Sequence, residues 1–233
     1  LYEKDKIILP NNPITDLDDL PKNFLSINDY AVAPTHAEVT SSGNQRSLTH
    51  AYLASVSFVD HCVGIVLDAL AASSYADNTI IVLWSDHGFQ LGEKGRWGKY
   101  SLWERATRVN LIWVAPGVTR AGTVTDKPVN LLDIYPTLAS LAGLEPPQGQ
   151  LEGNDLSVLM KNPNAAWDDA TVTTFGYRNY GVRSGRYRYI TYADGTEELY
   201  DHMKDKWEWT NLADDPEHAA IKDRMAKEIP THH

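Results

Sequence analysis

The order of apolar patterns between residues 45 and 143 leaves few folds open to this chain. From residue 45 to 73, Leu48, Tyr52, Ser55, Val59, Val63, Val66 and Leu70 recur at three- and four-residue steps. That spacing lines one face of a helix and predicts that face to be buried. After the turn "SYADN" comes an apolar run, residues 79–84 (TIIVLW), of the kind that forms a buried strand. A second run, residues 109–115 (VNLIWVA), stops at Pro116 and Gly117. Residues 130–143 then read as a helix, with Asn130 as its N-cap, Pro136 in its first turn and Gly143 as its terminator. Helix, strand, loop, strand, helix predicts an α/β fold in which a largely parallel sheet is flanked by helices.

The two ends have different textures. Residues 1–45 carry Pro10, Pro13, Pro21 and Pro34 among many Asp and Asn, without a helical or strand period. They predict an extended arm packed on the core. Beyond the Pro/Gly-rich "LEPPQGQLEGNDL", aromatic and apolar residues alternate with polar ones between Gly and Asp turns. Short antiparallel strands suit that alternation, followed by a helix over about 216–227. The expected organisation is an arm over 1–45, the C-terminal part of an α/β core over 46–160, and a small α+β subdomain over 161–233. No internal repeat is visible.

Composition narrows the class. Hydrophobic residues at 42% and charged residues at 22% suit a packed core. The formal charge of -10 argues against general nucleic-acid binding, since phosphate contacts need excess Lys and Arg. No uninterrupted apolar run approaches the ~18 residues of a bilayer span, so no membrane span is expected. The single cysteine, Cys62, excludes an intrachain disulfide and leaves the compartment open. Its place in the helical pattern marks it as a small core residue, and His61 beside it reads as structural.

The chemistry gathers where the first strand ends. In an open sheet, ligands bind outside the carboxyl ends of strands, and Asp86 and His87 follow residue 84 almost at once. A hard carboxylate oxygen and an imidazole nitrogen suit a divalent cation, although an N-cap Asp beside a satisfied His fits the dipeptide as well. The next segment shifts the balance toward a ligand site. Between residues 93 and 108 lie Lys94, Arg96, Lys99, Arg105 and Arg108 against Glu93 and Glu104, a basic stretch in an acidic chain. Lys is a mobile point charge suited to a tetrahedral oxyanion, and Arg adds a planar fork. Gly92, Gly95 and Gly98 let such a loop approach a ligand closely.

The stretch "SDHGFQLGEKGRWGKYSLWERATRVNLIWVAPG" resembles the sulfatases of the alkaline-phosphatase superfamily, most closely their iduronate-2-sulfatase branch. "AYLASVSFVDHCVGIVLDAL", "PVNLLDIYPTLASLAGL" and "ELYDHMKDKWEWTNLADDPEH" are similar to that family's flanking helices and C-terminal tail. The resemblance covers nearly all of the chain from about residue 45. It implies hydrolysis of a sulfate ester, on a sulfated small molecule or glycan. Position by position, it implies that Asp86 and His87 are metal ligands, usually for Ca2+. It makes Lys99 the lysine that touches the sulfate and stabilises the bridging ester oxygen. Phe89 and Trp97, which flank these residues, become candidates for the substrate-pocket wall. Family members are typically periplasmic, secreted or lysosomal.

One part of the family pattern is not in these residues. The resemblance calls for a formylglycine nucleophile in a Cys/Ser-x-Pro-x-Arg motif beside acidic metal ligands, and Cys62 is followed by Val63, Gly64 and Ile65. His36 and His50 match the family's catalytic histidine by residue type alone. The expectation is a C-terminal portion of a sulfatase, inactive alone, whose partner is the N-terminal portion of the same sulfatase, which the arm would wrap. Two other readings stay open: a related phosphate or phosphonate ester hydrolase, and a non-catalytic module that binds sulfated glycans.

Overall fold

The computed structural model describes residues 2–22, 33–145, 147, 149–167 and 170–231. Residues 23–32 of the expected arm, and His232 and His233, lie outside the described residues. After a 3-10 turn over Lys4–Lys6, the first α-helices among the described residues are the short α1 (His36–Ser41) and the long α2 (Gln45–Ala71). Thr35 starts α1 with a capping box: its hydroxyl accepts from the Glu38 amide, and the Glu38 carboxylate accepts from the Thr35 amide.

Strand β1 (Ile81–Trp84) pairs with β4 (Leu111–Val114), Ile81 opposite Val114 and Trp84 opposite Leu111. The pairing is antiparallel, which corrects the parallel arrangement expected from the apolar runs. Parallel neighbours need a crossover that carries the chain to the far end of the sheet. Here the connection holds the hairpin β2 (Gln90–Leu91) and β3 (Trp97–Gly98), joined through a 3-10 turn over Glu93–Gly95, and the four-residue helix α3 (Glu104–Thr107). It returns the chain to the end it left, so β4 runs back along β1. The helix after β4 forms as expected. Asn130 caps a 3-10 turn over Leu131–Asp133 that runs into α4 (Ile134–Leu141), with Pro136 in the first turn and Gly143 at φ 67 past the end. A short α5 (Ser157–Lys161) follows.

The main core lies further on. Strands β5 (Thr171–Thr174), β6 (Tyr180–Ser184), β7 (Tyr187–Thr191) and β8 (Glu197–Asp201) form one antiparallel meander in that order. Alternation sorts its side chains to two faces. Ile190, Tyr192 and Tyr200 pack on Leu102 and Trp103, while Val182, Tyr189 and Leu199 pack on Ala213 and on Met225 of α6 (Ala219–Ala226). The sheet is therefore bound to residues 102–103 as closely as to its own helix.

Two expectations about burial fail. In α2 only Thr49 is buried, and Val59 and Val66 on the expected inner face are 57% and 67% exposed. His61 is exposed and Cys62 half-buried. Trp84, Ile112 and Val114 on the strand pair are about half exposed too. The periodicity marks a face built for packing, and none of the described residues supplies its cover. Among the described residues, α2 also has the length and apolar composition to cross a membrane. Counting uninterrupted apolar residues missed this because Ser55, Ser57, Asp60 and His61 interrupt the run. The exclusion of a span by run length therefore does not stand.

The arm packs on this chain itself. Asp16 forms a buried ion pair with Lys94 at 2.8 Å, Tyr2 bonds Ser57 of α2, and Asp19 accepts from the Asn211 amide.

Candidate active site at the end of the first strand

Asp86 and His87 leave β1 on a loop tied down from both sides. The Ser85 hydroxyl donates to the His87 carbonyl, and the Gly88 amide donates to the Ala106 carbonyl at 2.8 Å. Gly88 has no tolerance for a side chain, because a Cβ there would lie 2.1 Å from the Arg105 carbonyl oxygen. The loop and α3 thus lie backbone against backbone.

Lys99 comes back to the same place through the β2–β3 hairpin. Gly92 at φ 118 and Gly95 at φ 68 make its reversal, in a region where a side chain is strained. Gln90, fully buried, accepts from the Ser101 hydroxyl and donates to the Glu93 carbonyl, which holds both sides of Lys99. The outcome is a contact of 2.7 Å between Lys99 Nζ and His87 Nε2. His87 Nδ1 lies 2.8 Å from the Gly88 carbonyl, which can only accept, so Nδ1 carries the proton and Nε2 offers its lone pair. An ammonium donates to that lone pair here.

The Asp86 carboxylate is largely exposed, and its Oδ2 is 3.4 Å from His87 Nε2. A carboxylate oxygen and an imidazole nitrogen that close fit one divalent cation, which would take the Nε2 lone pair in place of the Lys99 ammonium, and the Nδ1–H bond to a carbonyl is the usual outer support of a ligating histidine. They are two of the ~6–8 ligands calcium takes. Among the described residues, three such ligand groups converge only elsewhere, at Glu104, His202 and Glu208. That place is already taken by a guanidinium: Arg188 pairs with both carboxylates.

Asp86, His87 and Lys99 open into a groove of about 1020 Å3 between the first half of the chain and the C-terminal sheet. Its near wall continues through Tyr100 and Arg108, and its far wall is Thr171, Thr173, Phe175, Arg183 and Arg186. Phe89 and Trp97, expected at the substrate-pocket wall, are not among the residues that line this groove. Phe89 packs on Tyr52, with ring centroids 5.4 Å apart. Trp97 is 5% exposed, donates to His36 Nδ1 and lines a separate small pocket with Asn12 and Gln45. His36 is held there, and His50 lies against the Tyr2 carbonyl, so neither lines the Lys99 groove. Tyr100, whose ring lies 5.7 Å from the Lys99 ammonium, lines the groove with Phe175 and was not singled out by residue spacing. Its adjacency to Lys99 was the available signal.

The basic segment divides its charges. Lys94 is committed to Asp16, Arg105 lies over the Trp207 ring at 4.3 Å, and Lys99 and Arg108 face the groove. Burial alone would push Glu104 up. Arg188, through charge and a hydrogen bond, outweighs it with His202 and Arg183 and holds the carboxyl below its ordinary range. A folded value below the unfolded one stabilises the protein above the ordinary carboxylate range, and that contribution is lost as pH falls through the folded value. Glu104→Gln should therefore flatten the acid limb of stability against pH, read from urea midpoints between about pH 6 and 3. Equal slopes for both proteins would refute this role.

The sulfatase family profile matches residues 21–144, and that of the N-sulphoglucosamine sulphohydrolase C-terminal region matches residues 92–233. A sulfatase of Formosa agariphila is 45% identical over 213 residues, covering 91% of this chain and 42% of that protein. Iduronate 2-sulfatase of Mus musculus is 42% identical over 127 residues, covering 44% of this chain and 23% of that protein. A protein solved in complex with its substrate D-glucosamine-2-N,6-O-disulfate superposes with a TM-score of 0.73 at 28% identity, covering 88% of this chain and 44% of that one. The chain thus spans less than half the length of these relatives.

Proposed function

Since the chain belongs to the sulfatase family, we propose that it carries the cation- and leaving-group side of a sulfate ester hydrolase acting on a sulfated sugar. The observation that carries this reading is the 2.7 Å contact between Lys99 and His87 beside Asp86, at the mouth of the large groove. Asp86 and His87 would hold a divalent cation, with Ca2+ the expected one. When bound, such a cation supplies positive charge against the sulfate oxygens. The formylglycine nucleophile would come from sulfatase sequence outside these 233 residues, which contain no Cys/Ser-x-Pro-x-Arg motif.

The residues of this chain do the rest by position and charge. Lys99 sits where an ester oxygen acquires negative charge as its bond to sulfur breaks, and its ammonium neutralises that oxygen. His87, with its proton fixed on Nδ1, keeps Nε2 directed into the site. Asp86 balances the local positive charge. Tyr100 offers an aromatic face to the alcohol, and the groove's volume of about 1020 Å3 suits a substrate larger than one sugar ring. Further sulfatase sequence, the expected N-terminal portion, would pack on the exposed apolar faces of α2 and the β1–β4 pair.

The test uses the catalytically complete enzyme and a set of sulfated glucosamine and hexuronate oligosaccharides. Wild type should release sulfate and carry a stoichiometric divalent cation. Asp86→Ala should lose both. Stoichiometric metal in that variant would refute the ligand assignment, and faster turnover of phosphate or phosphonate esters would refute the substrate class.

A further inference from the structure

Lys99 and His87 share a support that neither of their strands provides. Residues 101–108 touch the His87 loop on one side, through the Gly88 amide on the Ala106 carbonyl. They hold Lys99 on the other, through the Ser101 amide on the Lys99 carbonyl and the Ser101 hydroxyl on Gln90. That segment is in turn fastened to the C-terminal sheet, and the fastening centres on one side chain. Arg188, on β7, is 3% exposed at its side chain. Its Nη1 donates to the Leu102 carbonyl at 3.0 Å, its Nη2 to the Glu104 carboxylate, and its Nε lies 2.9 Å from Glu208 Oε1. Glu208 uses its other oxygen to accept from the Glu104 amide at 2.9 Å.

The surrounding charges are balanced. Arg183 Nε lies 3.4 Å from Glu104 Oε2, and His202 Nε2 lies 2.9 Å from Glu208 Oε1. Two guanidiniums face two carboxylates, with His202 beside them. A lysine cannot reproduce two donors in one plane aimed at a carbonyl and a carboxylate, with a further charge contact to Glu208, so the arrangement is specific to arginine. Stability alone does not require such a network, since buried ion pairs are often no better than apolar packing. Geometry at a reacting centre does require it, because a 1 Å misplacement costs on the order of 10²-fold in rate.

We propose that Arg188 is a positioning residue for the hydrolysis: through Leu102 and Glu104 it fixes the segment that places Lys99 beside His87 and Asp86. This rests on the reading of Lys99 as the group that stabilises the leaving oxygen. Loss of Arg188 should therefore hurt most where the leaving oxygen most needs help.

The experiment compares wild type, Arg188→Met and Arg188→Lys in the complete enzyme on two sulfate esters. One has an activated aryl leaving group, the other a sugar alcohol, and rates are normalised to folded protein. On the sugar ester, kcat should fall about 10–100-fold in Arg188→Met with KM nearly unchanged. On the aryl ester the loss should be several-fold smaller, and Arg188→Lys should recover part of it. Equal losses on the two esters, or unchanged kcat per folded molecule with a lower Tm, would overturn the proposal and leave a purely structural arginine. If Arg188→Met does not fold, Arg188→Lys with hydrogen exchange decides. Faster exchange over residues 99–107 with β6–β8 unchanged supports positioning, and uniform loosening overturns it. Failure of the underlying reading looks different: Lys99→Ala would then leave the two esters equally unaffected.

Discussion

Replacement of Lys99 by alanine should lower turnover of a sulfate ester by about 10²-fold or more, the usual cost of removing one group that faces developing charge. The ammonium opens into the groove beside Asp86 and His87 on a segment that Gln90 and Ser101 hold, so its place is set before substrate arrives. Pre-set charge costs no reorganisation during reaction, which is why its loss appears in kcat. Lys99→Arg should rescue little. The fork is planar and bulkier, and Tyr100 and His87 leave room for a point charge. Steady-state kinetics on a sugar sulfate check this, and near-normal kcat in Lys99→Ala would place the lysine outside the reaction.

The largest expected loss of stability lies at Glu198, a carboxyl with no exposed surface. Trp103 Nε1 donates to its Oε2 at 2.8 Å and the Tyr200 hydroxyl at 2.6 Å, while the Tyr192 hydroxyl donates to Oε1. Burial pushes the carboxyl up, and those three donors, with Lys94 nearby, pull it back without fully offsetting the burial. Glu198→Ala would leave three buried donors without an acceptor in the cluster that joins the sheet to Trp103. The expected cost is about 3–5 kcal/mol, as for other broken buried networks. Denaturant unfolding measures it, and a loss below about 1 kcal/mol would mean that the donors find water or other partners.

What was legible in the sequence is what local chemistry writes. The bounds of α2, the cap at Asn130 and the alternation of β5–β8 depend on neighbours within a few residues, and each appears as expected. That Asp86, His87 and Lys99 would lie together was legible from the resemblance to the sulfatases, and the structure brings the three side chains within hydrogen-bonding or ion-pair distance. Strand direction was not, since apolar runs look alike in parallel and antiparallel pairs. That Phe89 and Trp97 lie off the groove was not legible either, for a related reason. Adjacency along the chain does not say which side of a hairpin faces the groove, and Trp97 turned to His36. The far wall, from Thr171 to Arg186, comes from more than seventy residues away in the chain, and no spacing rule reaches it.

The joint between residues 101–108 and the C-terminal sheet bears on how such proteins can be recombined. Leu102, Trp103 and Glu104 meet Arg188, Glu198 and Glu208 through matched donors and acceptors. A crossover between two relatives anywhere from residue 109 to 187 would bring together halves drawn from different parents. Unless the two parents share these six residues, such a hybrid would mismatch charges at the seam, and the damage would surface at Lys99. Chimeras that keep residues 101–208 from one parent should retain the seam whole. The interval inherited as a block is therefore set by buried charges rather than by the loops between elements.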